Sequence, residues 1–367
     1  MFRADLSGRR HDPVQQAAAR PGSGLRGLVW FWAAVLAVGL GGAAVLQALG
    51  PLPPPAAPAP AAPPARAEVQ PPSPQVAPLA PAAMLPAPPP GTIAPTNPAL
   101  LEPSSTFPGG ELPRVGPGGL SPMRVYAAPF DRSSTRARVA VLLGGIGMSE
   151  SDSEEAVRTL PGAISLAVSP YAFRPERLLA EARAAGHEML LALPLEPADY
   201  PLDDPGNRAL LTGNLAALNH QRLEWALTRF TGYVGATGAL NGMRGERFAA
   251  VPELMDPVLQ RLARRGLLYI DPRPGAAHPP FVVGRSVDVV IDEPAVRTEI
   301  EAKLARLEQV ARDHGSALGL VGLPRPVALG RLAAWAATLP ARGLVLAPVS
   351  AVVQPPPPRQ QAAQETP

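Results

Sequence analysis

The chain has 367 residues, of which 50 are proline, 34 are glycine and none is cysteine. The missing cysteine excludes a disulfide scaffold, cysteine-ligated zinc, iron–sulfur clusters and thiol catalysis. Lys and Arg total 33 against 30 Asp and Glu, with 5% aromatics, which excludes nucleic-acid binding by bulk charge or base stacking.

Residues 1–26 are polar, with Arg3, Arg9, Arg10, Arg20 and Arg26 against Asp5 and Asp12. Residues 27–49 carry no charge. A helix of about 22 such residues is about 33 Å long and crosses a hydrocarbon layer. Trp30 and Trp32 stand near its start, and the arginines before it predict a cytoplasmic N-terminus. The segment therefore reads as an uncleaved inner-membrane anchor. A cleaved signal peptide is the alternative, but its apolar region is shorter, about 7–15 residues. Half of the prolines fall between Pro51 and Pro129. Residues 50–135 are thus expected to be an Ala/Pro-rich spacer without packed structure, dispensable for folding. The tail 354–367 is expected to be disordered on the same grounds.

Residues 136–353 read as the folded domain, in which apolar strand-like runs alternate with helical ones. The first strand covers Val139–Gly144, followed by a helix capped by Ser151 or Ser153. Strands follow at 164–169 and 188–195, separated by a helix from Pro175 to Ala185 that stops at Gly186. A long loop, 196–213, precedes a helix at Asn219–Phe230 and a strand at 233–240. A helix at Pro252–Arg265 leads to a strand at 267–271, then a strand at 287–292. The helix Pro294–His314, a strand at 317–323, a helix at Val327–Leu339 and a strand at 344–350 complete the series. Continuous apolar strands between helices imply a parallel sheet buried on both faces. Seven or eight such units in about 216 residues predict an α/β fold, a small or distorted parallel β/α barrel. A doubly wound open sheet is the alternative.

In such a barrel the chemistry sits at the C-terminal ends of the strands. The groups placed there are Gly144-Gly145-Ile146-Gly147, Ala192 and Glu196, Asn241-Gly242-Met243, Asp271 and Arg273, Asp292-Glu293, and Gly322-Leu323-Pro324-Arg325. The stretches Ala185–Pro197 (AGHEMLLALPLEP), Gly266–Arg273 (GLLYIDPR) and the closing ARGLVLAPVSAVV resemble the divergent polysaccharide deacetylase family. That resemblance covers Arg138 to Val353. It implies a deacetylase-like barrel linked to carbohydrate metabolism in the cell envelope, often behind a membrane anchor and a proline-rich spacer.

The same resemblance marks where this chain departs from the family's pattern. Paired aspartates usually close the first strand, where Gly144 and Gly145 stand here. Ala192 replaces a histidine before Leu-Pro, Gly242 replaces the histidine of Asn-His-Met-Gly, and Leu323 stands within a motif that usually supplies histidine. Metal-assisted deacetylation needs about three His or carboxylate ligands and a water whose pKa the metal lowers. Glycine, alanine and leucine supply neither, so no catalytic residue and no metal or other cofactor is expected. Zinc or another divalent ion enters only if a rebuilt site uses His278, Asp271 and Asp292.

The remaining polar groups, Glu196, Asn241, Asp271, Arg273, Asp292, Glu293 and Arg325, form an expected rim. Asp271 and Arg273 read either as a structural ion pair or as part of a sugar-binding cleft. Three readings of function stand: a non-catalytic barrel that binds an envelope polysaccharide, a peptidoglycan-related partner or a protein; an active deacetylase or hydrolase with a rebuilt site; and a scaffold without a ligand. The domain is expected in the periplasm, without nucleic-acid partners.

Overall fold

The computed structural model describes residues 30–33, 35–37 and 91–357. The chain divides into two units, Met1–Ala80 and Pro81–Pro367. Most of the expected anchor at 27–49, and the spacer up to residue 90, lie outside the described residues. Among the described residues no helix is long and apolar enough to cross a membrane.

The second unit opens with a two-stranded antiparallel ribbon, β1 (Leu101–Pro103) and β2 (Glu111–Pro113), and a short helix α1 (Pro122–Val125). Strands β3 (Ala137–Ile146), β4 (Ser165–Val168), β5 (Met189–Ala192), β6 (Gly235–Thr237) and β7 (Leu268–Asp271) then pair in sequence, all parallel. Helices α2 (Glu150–Thr159), α3 (Glu176–Ala184), α4 (Ala216–Leu227), α5 (Glu246–Ala249) and α6 (Pro252–Arg264) lie between them. The next segment splits its pairing. Its first half, β8 (Gly284–Ser286), pairs with β7, and its second half, β9 (Val289–Val290), pairs with β10 (Ser316–Val321). Since β10 also pairs with β3, residues 284–290 join the two ends of a curled sheet. The expected small, distorted parallel barrel is the architecture seen. Helices α7 (Arg297–His314) and α8 (Pro326–Thr338) flank β10, and β11 (Leu344–Leu346) pairs with the first residues of β3.

Alternation along the strands separates two apolar layers. Val139, Val141 and Leu143 of β3, with Met189 and Leu191 of β5, pack outward against the helices. Ala140, Leu142, Leu190, Ala192, Leu268, Ile270, Leu318 and Leu320 belong to a second cluster that fills the barrel. Both faces of the sheet are therefore dry, which is why the strands read as continuous apolar runs.

That second cluster also takes in Ile93, Leu100, Tyr126 and Ala128 before the barrel and Ala347, Val349, Ala351 and Val352 after it. This corrects the expected spacer: its described part, residues 91–135, packs under the barrel where the strands begin. The prolines there serve order. Pro98, Pro117 and Pro122 open helical turns, where no N–H is needed, and Pro103 and Pro113 lie on an isolated two-stranded ribbon. The tail is corrected at its first residue as well. Gln354 and Gly284 exchange backbone hydrogen bonds of 3.0 Å in both directions.

Smaller corrections concern boundaries. Ser149, not Ser151 or Ser153, caps α2, its hydroxyl accepting the N–H of Asp152. The buried Ser153 hydroxyl instead accepts the Gly147 N–H at 2.9 Å, which fixes the loop after β3. Helix α4 begins at Ala216 rather than Asn219 because the Asn219 side chain is engaged with Leu211, accepting its N–H at 3.1 Å and donating to its carbonyl at 2.9 Å. The last expected strand stops at Leu346, and Val349–Ala351 turns beneath the barrel.

Candidate functional site

The ends of β3 and β10 set the geometry. Register places Leu143 beside Val321, so Gly144 faces Gly322 across two adjacent strands. A Cβ on Gly144 would stand 2.8 Å from the Gly322 carbonyl oxygen. Gly145 has a φ of 73°, and a Cβ there would meet Leu323 Cδ2 and Pro324 Cδ at 2.9 Å. No side chain fits at either position while the β10 end keeps its place.

The tip after β6 closes over the same spot. Asn241 and Gly242 both take positive φ, 51° and 86°. This turns the chain so that Gly242 Cα lies 3.2 Å from where a Cβ of Gly322 would be. Gly144, Gly322 and Gly242 thus bring three lengths of backbone together. Ala192 is buried in the barrel filling just below.

Asp292 belongs to this cluster and is buried. Its Oδ1 accepts the Gly322 N–H at 2.8 Å and its Oδ2 accepts the Leu323 N–H at 3.2 Å. Both oxygens are committed to the backbone after β10. The neighbouring Glu293 is exposed and pairs with Arg244 at 2.5 Å. Arg244 also reaches Glu246 at 3.1 Å, so it ties the loop after β6 to the one after β9.

Asp271 and Arg273 form a closed pair. Arg273 Nε donates to Oδ1 at 2.9 Å, its Nη2 to Oδ2 at 2.6 Å, and its backbone N–H to Oδ1 at 3.0 Å. The hydrogen bond to Asp271 raises the Arg273 pKa above the ordinary arginine value, against the opposing effect of burial. Of the two readings of this pair, the geometry is that of the ion pair.

Glu196 anchors the long loop after β5. Its carboxylate accepts the backbone N–H and the hydroxyl of Thr212, the latter at 2.8 Å, and pairs with Arg247 at 3.1 Å. Burial pushes the Glu196 pKa up, but these bonds outweigh it and hold the carboxyl below its ordinary range. Arg247 also donates to the carbonyls of Ala198, at 2.6 Å, and Tyr200, at 3.2 Å. It thereby ties the start of the loop to α5, while Glu196 holds the far end through Thr212.

The polar residues expected on the rim are therefore divided among separate local partnerships. Arg325 is exposed and precedes α8, with its backbone carbonyl accepting from Leu329 at 3.0 Å. Asn241 is exposed at its loop tip. His278 is half-buried, with Nδ1 3.0 Å from the Pro279 carbonyl oxygen, and is not brought to Asp271 or Asp292 by any bond. Among the described residues no three His, Asp or Glu side chains come together as a metal-ligand group.

Sequence reasoning missed Arg244 and Arg247, both in the stretch 241–248 (NGMRGERF) after β6. It also missed Glu188, at the opposite end of the barrel. Glu188 is fully buried and accepts from Ala128 N at 3.2 Å, Ser165 Oγ at 2.9 Å, Ser350 N at 2.9 Å and Ser350 Oγ at 2.6 Å. Burial raises its pKa, and the four donors only partly offset this. A glutamate directly before an apolar strand was the available signal. His187 beside it is buried, with Nδ1 2.8 Å from the Ile164 carbonyl oxygen, and burial lowers its pKa.

Comparison with known proteins places this geometry. A family model described as divergent polysaccharide deacetylase matches residues 141–353. The crystal structure of an uncharacterised protein from Agrobacterium tumefaciens is 33% identical, with a TM-score of 0.62, covering 66% of this chain and 100% of that one. An uncharacterised protein of Haemophilus influenzae is 24% identical over 216 residues, 57% of this chain and 74% of its own length.

Proposed function

The chain belongs to the divergent polysaccharide deacetylase family, and from that premise we propose that it is a non-catalytic, glycan- or partner-binding barrel of the cell envelope. The observation that carries this reading is the approach of Gly144 to Gly322, where a Cβ would stand 2.8 Å from a carbonyl oxygen. The family's chemistry calls for a divalent metal held by side chains at these strand ends. The residues present do not fit one. Gly144, Gly145, Gly242 and Leu323 carry no ligand atoms, and Asp292 spends both oxygens on Gly322 and Leu323. A carboxylate so occupied, without two further ligands, neither holds a zinc-type ion nor lowers the pKa of a bound water.

What the strand ends keep is a polar rim. Arg325, Asn241 and Glu293 are exposed, and Arg244 links the loop of Asn241 to that of Glu293. Such a surface offers hydrogen-bond donors and acceptors of the kind that recognise sugar hydroxyls or a protein partner. The charge-free stretch 27–49 behind an arginine-rich segment supports anchoring in an inner membrane, with the barrel on the periplasmic side.

The test is metal analysis of the purified full chain together with an acetate-release assay on acetylated glycans. The reading expects neither stoichiometric zinc nor acetate release, and retention of the chain on immobilised envelope polysaccharide or peptidoglycan. One-to-one zinc, with acetate release abolished by a chelator, overturns it.

A further inference from the structure

A cluster of arginines lies far from the strand-end loops, at the end of the barrel where the strands begin. Arg261, Arg264 and Arg265 end helix α6, directly before β7, and Arg114 follows β2. Together with Glu102 and Val115 they line one surface cleft. Basic residues in a last helical turn are ordinary, because they face the negative end of the helix dipole. That accounts for neither Arg114, which comes from another element, nor the state of the guanidinium groups.

Arg265 is largely buried, with 11% of its side chain exposed, and its Nη1 pairs with Glu102 at 2.9 Å and donates to the Pro113 carbonyl at 2.6 Å. Arg261, 21% exposed, has Nη2 at 3.6 Å from Glu224, whose other oxygen already accepts the Ser104 hydroxyl at 2.8 Å. The Nε–H groups of both Arg261 and Arg265 are buried and meet no acceptor. Arg114 and Arg264 are exposed at the edges, and Arg264 has no ion-pair partner among the described residues. Arg261 and Arg265 thus draw on two carboxylates, Glu224 and Glu102, while the exposed Arg114 and Arg264 add two more positive charges beside them. Burial first, and then the repulsion of Arg265, hold the Arg261 pKa below its ordinary value. Gathered like charge with few counter-charges is costly, and a bound oxyanion in the cleft offsets it.

We propose that this cleft binds a phosphate group, carried either by a soluble phosphate compound or by a lipid headgroup. Arginine suits that role because its planar, permanently charged fork matches phosphate oxygens. Arg261 and Arg264 supply the guanidinium edges that are not tied to the protein by short bonds, and Arg114 closes the cleft from the β2 side. The site is independent of the strand-end rim and of whether that rim binds a glycan.

The experiment titrates the full chain with inorganic phosphate by calorimetry at low ionic strength. In parallel, hydrogen exchange across residues 252–268 is followed with phosphatidylcholine vesicles lacking or containing phosphatidylglycerol. Saturable phosphate binding is expected, weakened at least about tenfold in Arg261→Gln/Arg264→Gln. Arg158→Gln, on the exposed side of α2, leaves it unchanged. Thermal unfolding checks that the double variant is folded, and Arg114→Gln/Arg264→Gln, at two exposed positions, provides an independent variant with the same expected loss. Protection that rises only with phosphatidylglycerol identifies a headgroup as the source, and binding of free phosphate identifies a soluble compound. Absence of both, or binding equal in wild type and variants, overturns the proposal.

Discussion

Asp292 and Gly322 are joined by a 2.8 Å hydrogen bond from the glycine N–H to Oδ1, so a strand-end carboxylate is used to hold backbone. The second oxygen holds Leu323 in the same way at 3.2 Å. Removing the side chain leaves two N–H groups without acceptors in a buried place. We expect Asp292→Ala to lower unfolding free energy by about 3 kcal/mol, and Asp292→Asn, which keeps one acceptor oxygen, by about half as much. Urea unfolding followed by circular dichroism measures both, and equal losses for the two variants would contradict the assignment.

Placing an aspartate at the end of β3 is expected to damage the fold rather than create a metal site. Gly144→Asp forces a Cβ to 2.8 Å from the Gly322 oxygen, and Gly145→Asp adds a left-handed φ to its own crowding. Each is expected to cost about 2 kcal/mol or more and to recruit no zinc. Differential scanning calorimetry with metal analysis of the same samples reads both outcomes.

Glu188 makes stability depend on pH in one direction. Burial raises its pKa in the folded chain, so on alkalinisation the unfolded chain loses this proton first. Between the unfolded and folded values the folded state binds more protons, and stability falls as pH rises. The contribution is complete below the ordinary carboxylate value and is lost through the raised one. Glu188→Gln should remove that slope, whereas Glu188→Ala, which strands the N–H groups of Ala128 and Ser350, should cost about 3 kcal/mol. Denaturation midpoints from pH 4 upward, as order-of-magnitude steps of about one unit, compare the three chains.

Glu196 acts with the opposite sign. Its folded pKa is lowered, so its stabilisation is present above the ordinary value and is lost as pH falls through the folded one. We expect Glu196→Gln to lose about 1–2 kcal/mol at neutral pH and to be less sensitive to acid than wild type. Because Glu196 and Arg247 hold both ends of the loop 196–213, limited proteolysis of either Glu196→Gln or Arg247→Met should cut within it first. Unchanged cleavage would separate the loop from this ion pair.

Truncation tests where the domain begins. A chain starting at residue 91 is expected to unfold cooperatively. One starting at residue 135 loses Ile93, Leu100, Tyr126 and Ala128 from the apolar cluster and the Ala128 N–H from Glu188, and is expected to unfold at markedly lower temperature. Equal melting temperatures would return residues 91–134 to the status of spacer.

The barrel was legible in the sequence because its strands are apolar on both faces, and few other arrangements bury such runs between helices. The expected strand at 287–292 pairs with β10 through Val289–Val290, while the β7 partner just before it, Gly284–Ser286, went unread; sequence patterning has no signal for a change of partner. The stretch 91–135 was misread because proline content reports only missing N–H groups. It does not show that Pro98, Pro117 and Pro122 sit where none is needed. At the strand ends, residue types alone located Gly144, Gly242, Asp271 and Asp292. Their pairwise fates depend on contacts between distant loops. Arg244 and Arg247 were overlooked because charged residues in a loop look solvated until their partners, Glu293 and Glu196, are placed beside them.

The plug beneath the barrel also has a consequence for how this unit can diversify. Residues 93–128 arrive, and residues 347–354 leave, at the end where the strands begin, through bonds to Glu188, Ser165 and Gly284. The described segments on either side of the barrel therefore reach it without crossing the opposite end. Each loop there belongs to a single strand-to-helix passage. Insertions and deletions at residues 147–149, 196–213 or 241–245 change the presented surface one passage at a time while the route of the chain stays the same. A barrel with glycines at its strand ends can in this way change the surface it presents by loop length alone.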